Sequence, residues 1–268
     1  MRLKNKLNKL KKILSGSGSC LIAFSGGTDS AFLLKIASLV LPERKIVAVT
    51  ANSSTYPKEE LIAAKKIASL LGVRHKIINT SELNDKKFTA NGSNRCYFCK
   101  KELFTKLKNI ARQNKLAFVF DASNISDKSD FRPGTKAKNE SGARSPLQEA
   151  GFTKADIRVL SKRLGLTTWN KPSQACLASR IPYGMNISNA ALKRINRAEN
   201  FLKGLNFSQI RVRHYDGLCR IEVPKDEVSK LIKKSQSVID KLKKLGYNYI
   251  TVDLEGYRAG SLNEVIKK

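Results

Sequence analysis

Six consecutive residues, Ser25-Gly26-Gly27-Thr28-Asp29-Ser30, bring two glycines, two serine hydroxyls and a carboxylate together. The apolar run before them, 20–24, reads as a strand, and the pattern after them, 31–37, opens a helix. Adjacent glycines let the backbone approach an anion closely, serine hydroxyls donate to it, and the free amides of a helix N-terminus favour negative charge. Phosphate is the anion such a turn suits. The spacing is not G-x-x-x-x-G-K-[ST], whose lysine is missing, nor the dinucleotide G-x-G-x-x-G. Asp29 reads as a group that orients the loop or binds a metal ion, or simply as a stabiliser of the first helical turn.

Cysteines form the second set. Cys96 and Cys99 make a C-x-x-C, which serves as a redox pair, half a zinc site, part of an iron–sulfur site, or two buried thiols. Cys176 is the other cysteine in a polar, loop-like context, whereas Cys20 and Cys219 begin apolar runs and read as small core residues. Three thiolates suit a four-iron cluster with one iron open to hydrosulfide. Zinc with His214 as a fourth ligand, and plain structural or redox thiols, stay open as readings.

The elements that must position these groups alternate. Apolar runs at 21–24, 46–49, 75–78 and 116–120 predict short buried strands, with helical patterns at 30–41, 58–71 and 99–111 between them. Such alternation implies a parallel sheet with helices on both faces and ligands beyond the carboxyl ends of the strands. Residues 121–144 are polar, with a Pro-Gly pair, and read as a site loop. A helical pattern through Leu147 and Ile157 to Leu166 precedes a polar stretch around Trp169, Pro172 and Pro182, where the domain junction falls. Beyond it come a helix at 189–205, strands at 209–214, 218–223 and 249–254, and one long helix over 226–245. The expected fold is α/β: a Rossmann-like parallel-sheet domain over 1–170 and a small α+β domain over 171–268.

Composition narrows the class. With 268 residues, 41% hydrophobic and 27% charged, the chain can bury a sizeable core, and no apolar run is long enough to span a bilayer. Leu3, Leu7, Leu10 and Leu14 recur at helical spacing, so the basic first segment reads as an amphipathic helix rather than a transit peptide. A net charge of +29 suits tRNA, a membrane surface or anionic small molecules, but the lysines are spread along most helices and a solvated basic surface explains them equally. Five cysteines without an evident secretory signal favour a reducing compartment, the cytoplasm, over a disulfide framework.

Residues 25–30 resemble the PP-loop, S-G-G-x-D-S, of enzymes that split ATP into AMP and pyrophosphate. Together with residues 94–104, Arg132-Pro133-Gly134, 142–147, Trp169-Asn170-Lys171-Pro172, 176–184 and Arg211-Val212-Arg213, they resemble the LarE-type ATP-dependent sulfur transferases over both expected domains. The resemblance implies a PP-loop ATP pyrophosphatase fold in which Ser25, Gly26, Gly27, Asp29 and Ser30 bind ATP with Mg2+. It implies adenylation of a carboxylate of pyridinium-3,5-biscarboxylic acid mononucleotide and its conversion to a thiocarboxylate, a step toward the nickel-pincer cofactor. In relatives with one cysteine at the position of Cys176, that thiol gives up its own sulfur. Relatives with the added C-x-x-C resemble this chain more, and imply a [4Fe–4S] cluster on Cys96, Cys99 and Cys176 with renewable sulfide from a donor. Glu199 matches a family glutamate proposed for proton transfer, or is a surface charge of its helix. Arg180, Arg211 and Arg213 are candidates for the substrate's phosphate or carboxylates, since a planar guanidinium binds such groups bidentately. A solvated basic face is their alternative, although alternation puts Arg211 and Arg213 on one side of a strand. Residues 121–127 depart from the family's Asp-Gly-Thr-Asn-x-Asp-Asp, which leaves Asp121 and Asn124 without individual tasks. The main rival is a tRNA thiolase of the same superfamily, then an ATP-dependent ligase with a zinc knuckle, then a non-catalytic nucleotide-binding module. The family implies a homo-oligomer.

Overall fold

The computed structural model describes residues 2–129, 132–172 and 174–266, so the expected site loop 121–144 and the stretch before Cys176 each include positions outside the described residues. In chain order the elements are α1 (Leu3–Gly16), β1 (Cys20–Ala23), α2 (Thr28–Val40), β2 (Ile46–Asn52), α3 (Lys58–Leu70), β3 (Arg74–Asn79), α4 (Lys86–Thr89), α5 (Arg95–Gln113), β4 (Phe118–Phe120), α6 (Gly134–Ser141), α7 (Pro146–Glu149) and α8 (Lys154–Arg163). They continue with α9 (Asn189–Lys203), β5 (Arg211–Tyr215), β6 (Leu218–Glu222), α10 (Val228–Lys233), α11 (Ser235–Lys244) and β7 (Tyr249–Val252). Two compact units result: Met1–Glu82 with Cys96–Gln174, and Leu83–Arg95 with Ala175–Lys268. Segment 83–95 thus packs with the second unit although it lies early in the chain.

The first unit is α/β, as the alternation implies. Its sheet is parallel throughout, in the order β3-β2-β1-β4. The chain runs outward from β1 to β3 and then returns to the other side of β1, so the carboxyl ends of β1 and β4 flank a topological switch point. Side chains alternate across the sheet. Cys20, Ile22, Ile46 and Ala48 join a core with Leu10 and Leu14 of α1, the apolar face of α2, and Ile157 and Leu160 of α8. Leu21, Val47 and Val49 point the other way, onto Phe104, Leu107 and Ile110 of α5. Burial on both faces makes β1 and most of β2 continuous apolar runs, whereas the buried strand expected over 75–78 is corrected: β3 lies at the sheet edge and none of its residues is fully buried. α1 is the amphipathic helix that its leucines predict, tied by Lys6 to Asp156 at 2.5 Å.

The second unit has a mixed sheet, β5-β6-β7, with β5 antiparallel and β7 parallel to β6. Ala198 and Leu202 of α9 pack on it with Val212, Cys219, Ile221 and Tyr247. The single helix expected over 226–245 is corrected: it is two helices, broken at Lys234, whose backbone leaves the helical region at φ −103°, ψ 11°. The apolar period there runs on across the break, with Leu231, Val238 and Leu242 buried. What interrupts the ladder is local. The Lys234 amide donates back three residues to the Leu231 carbonyl at 3.1 Å, which ends α10, and the Lys234 carbonyl accepts from the Ser237 hydroxyl at 3.0 Å and the Val238 amide at 3.2 Å, which begins α11. Among the described residues no helix is long and apolar enough to cross a membrane.

Candidate functional site

The phosphate loop lies at the carboxyl end of β1, and Gly27 caps α2, so Thr28, Asp29 and Ser30 form the first helical turn. Gly26 is at φ +65°, and a Cβ there would lie 2.9 Å from both Cα and Cβ of Ala64 on α3. Glycine is therefore required twice at this position, by backbone conformation and by close packing. Ser25 Oγ and Ser30 Oγ are 3.1 Å apart, Ser30 Oγ receives the Ser25 amide at 3.3 Å, and Ser25 Oγ receives the Gly27 amide at 3.4 Å. The two hydroxyls expected to face phosphate thus converge on the helix start. Thr28 Oγ1 donates to the Thr168 carbonyl at 2.7 Å and anchors the turn to the far end of the unit's chain.

Asp29 Oδ2 meets Lys154 Nζ at 2.7 Å, while its Oδ1 is buried with no hydrogen-bond partner. Burial raises the Asp29 carboxyl above its ordinary value, and Lys154 opposes that rise without cancelling it. A buried carboxylate oxygen with no protein hydrogen-bond partner is a hard donor of the kind a magnesium ion takes. Tyr56 OH donates to the Ser25 carbonyl. Its phenol is pushed up by burial and by the Glu60 charge, so it remains a donor. Lys171 Nζ reaches Glu60 at 2.6 Å and the Gly26 carbonyl at 3.3 Å. Tyr56, Glu60, Lys154 and Lys171 carry no signal in spacing, because they come from three separate places in the chain. Lys171 alone falls in a segment that the family resemblance quotes.

After β4, Asp121 accepts from Ser123 and Ser145 at 2.5 Å each, and Asn124 is buried with its side-chain oxygen on the Ser126 amide at 2.9 Å. Both act on their own loop.

Cys96 and Cys99 occupy the first turn of α5, which begins at Arg95, four residues before the helical pattern in the sequence. Both thiols are half-buried. Tyr97 OH bonds Glu140 of α6 at 2.8 Å, and Cys99 Sγ lies 3.8 Å from Oε1 of the buried Glu82. These thiols are soft donors one turn apart, a chemistry that fits iron–sulfur or zinc ligation. Among the described residues no group of three His, Cys, Asp or Glu side chains is placed to hold a metal ion. Cys176 belongs to the second unit. Cys20 and Cys219 are buried in the two cores, and burial pushes each thiol up to about 12.

Cys176 opens a short turn whose geometry is fixed from behind. Its carbonyl accepts from the Ser179 amide at 3.0 Å, the Ser179 hydroxyl at 2.7 Å and Arg180 Nη1 at 2.9 Å. Arg180 is 1% exposed, and its Nε and Nη2 form a bidentate pair with Glu199, both at 2.8 Å. Burial works against the Arg180 charge, yet Glu199 outweighs it and holds the guanidinium above its ordinary value. Burial likewise opposes ionisation of Glu199, but Arg180, the Val212 amide and Arg211 leave its carboxyl below the usual range. Arg213 makes a second bidentate pair, with Glu222 at 2.8 and 2.7 Å, and donates to the Ser179 carbonyl at 2.7 Å. Arg211 shares that face of β5, stacks at 5.3 Å over Tyr257, and is lowered by burial and by the charge of Arg180. The three arginines, for which a solvated basic face is the alternative reading, are instead buried. All three grip protein groups: Arg211 Nη1 donates to the Ile210 carbonyl at 2.7 Å, although burial, with the charge of Arg180, leaves its guanidinium below its ordinary value.

The end of this turn is locked to segment 83–95. Asn91, fully buried at φ +55°, donates to the carbonyls of Ile181, Pro182 and Met185 at 3.3, 2.7 and 2.8 Å, and its own carbonyl takes the Gly184 amide at 3.0 Å. Arg95 donates to Asn91 and stacks 4.6 Å over Tyr183.

Residues 19–103 match the family described as queuosine biosynthesis protein QueC. The chain is 38% identical to pyridinium-3,5-bisthiocarboxylic acid mononucleotide synthase of Lactiplantibacillus plantarum, over 92% of this chain and 90% of that protein. It belongs to the LarE family. As a LarE-family chain it is an enzyme, a sulfurtransferase with a PP-loop domain, and the PP-loop implies ATP and Mg2+. Other relatives are uncharacterized: slr1717 of Synechocystis sp., 40% identical over 99% of this chain and all of that one, and MJ0830 of Methanocaldococcus jannaschii, 31% identical over 97% of each.

Proposed function

We propose that this LarE-family enzyme adenylates the carboxylates of pyridinium-3,5-biscarboxylic acid mononucleotide with MgATP, releases pyrophosphate, and converts them to thiocarboxylates for nickel-pincer cofactor synthesis. The observation that carries the substrate is the 38% identity to the synthase over 92% of the chain. Carboxylate oxygen is a poor leaving group and AMP a good one, which is why ATP precedes sulfur. Ser25, Gly26, Gly27 and Ser30 hold the departing pyrophosphate with amides and hydroxyls, where charge grows as the α–β bond breaks. Asp29 offers its open oxygen to the magnesium ion that accompanies ATP.

Cys96, Cys99 and Cys176 would hold a [4Fe–4S] cluster, which when bound supplies an iron-held sulfide as nucleophile. The chain's own contribution is to fix the Cys176 backbone through Ser179 and Arg180, with Glu199 behind them. An ionised, doubly bonded Glu199 is better suited to holding Arg180 than to carrying a proton at neutral pH. Arg211 is the proposed contact for the substrate phosphate, and Arg213 positions Ser179. The reading includes a reducing, cytoplasmic setting, an external sulfide donor and a homo-oligomeric assembly.

The test is product mass. Anaerobically purified protein with ATP and the mononucleotide is expected to release pyrophosphate and yield oxygen-to-sulfur exchange in the mononucleotide. Thiolation of bulk tRNA instead would replace this substrate assignment.

A further inference from the structure

The phosphate loop contains no lysine, although a nucleoside triphosphate brings several negative charges to it. Amides and hydroxyls alone offer only partial charges. The first unit places an ammonium group at the loop from elsewhere. Lys171 Nζ lies 3.3 Å from the Gly26 carbonyl of the loop and is held there by Glu60 at 2.6 Å. Glu60 and Ala64 stand one turn apart on α3, and Ala64 is the residue against which Gly26 packs. One helix face therefore fixes both the loop and the carboxylate that restrains its cation. The Lys171 and Glu60 side chains are 21% and 15% exposed, so the pair keeps contact with solvent rather than being sealed.

We propose that Lys171 is a triphosphate-binding residue, parked on Glu60 while the loop is empty and transferred to the polyphosphate when MgATP binds. This rests on the ATP reading above and deepens it. Lysine suits the exchange. Its ammonium is a point charge on a flexible stem and can rotate from one oxygen to another, whereas a bidentate arginine would be committed to its carboxylate. A phosphate oxygen is the better partner for it, and Tyr56 keeps the loop in place by its bond to the Ser25 carbonyl while the exchange occurs. Glu60 is then a competitor for the cation and a negative charge beside the incoming anion, so it opposes binding.

The two residues of one ion pair must therefore affect nucleotide affinity in opposite directions. In calorimetric titration of the full chain with a non-hydrolysable MgATP analogue, Lys171→Ala is expected to weaken binding about 10-fold or more. Glu60→Gln is expected to tighten it several-fold, and Lys171→Arg to retain part of the affinity. Thermal melting of the unliganded variants separates this from a structural role, which would lower stability and affinity together in both. Equal weakening by Lys171→Ala and Glu60→Gln, or unchanged affinity in Lys171→Ala, overturns the proposal. If Lys171→Ala does not fold, Glu60→Gln decides alone, since weaker binding there contradicts the parked-cation scheme. Absence of binding by the unaltered protein would instead overturn the ATP reading, and the proposal with it.

Discussion

Two sets of ion pairs surround the groups that carry chemistry, and they are built differently. At the phosphate loop the pairs are lysine with carboxylate, Lys154–Asp29 and Lys171–Glu60, single-contact and 15–31% exposed. Around Cys176 they are arginine with glutamate, Arg180–Glu199 and Arg213–Glu222, bidentate and at most 6% exposed. A half-exposed ammonium gains little from its partner and can change it at little cost. A buried guanidinium fork is fixed, because either member left alone is an uncompensated charge in a dry place. Under the proposed function, the lysine pairs at the loop would rearrange on nucleotide binding, while the arginine pairs would hold one backbone geometry at Cys176.

That contrast is broken most directly at Arg180. Arg180→Met leaves Glu199 buried without its cation and should cost about 3–5 kcal/mol in urea unfolding. Adding Glu199→Leu to it should recover much of the loss while leaving the Cys176 turn unsupported, so that stability returns without sulfur transfer. Glu199→Gln sharpens the point through pH. Against burial, its carboxyl is held below the usual carboxylate range by Arg180, so the stability it brings is present at neutral pH and is lost only as pH falls through that lowered value. The stability gap between the unaltered protein and Glu199→Gln should therefore persist at neutral pH and close only on strong acidification.

Smaller effects follow at the loop and the lock. Gly26→Ala meets Ala64 and a positive φ, and should cost about 1–3 kcal/mol with loss of MgATP binding. Asn91→Ala removes the side-chain donor shared by the carbonyls of residues 181, 182 and 185, of which Pro182 alone keeps the Met185 amide, a cost of about 1–3 kcal/mol by thermal or urea unfolding. The smallest is a shift rather than a loss. Lys154→Met removes the group that lowers the Asp29 carboxyl against burial, so the acid limb of pyrophosphate release should move to higher pH. An unmoved limb would remove Asp29 from the ionising groups of that step.

How much of this was legible follows the same division. The loop was readable because strand, glycines, hydroxyls and helix start are contiguous, and the alternation of β1 to β4 with helices fixed the parallel sheet. The position of Cys96 on the same helix as Cys99 was not, because Arg95-Cys96 starts α5 four residues before the apolar repeat is established. The buried network was hidden for another reason. Arg180 and Glu199 are 19 residues apart, and Arg213 meets Glu222 across a strand pair, so only tertiary structure turns exposed-looking charges into core. Asn91 gave no signal at all. Its left-handed backbone and the carbonyls it binds exist only once segment 83–95 joins the second unit. The break at Lys234 escaped because a one-residue interruption leaves the apolar period almost unchanged.

The central claim is that activation belongs to the loop and sulfur delivery to the cysteine segments. Cys176→Ala separates them. With ATP and the mononucleotide under anaerobic conditions, pyrophosphate and product mass are followed together. The account expects pyrophosphate release to survive while oxygen-to-sulfur exchange is lost. Sulfurated product from Cys176→Ala, or loss of pyrophosphate release in a folded variant, would contradict it.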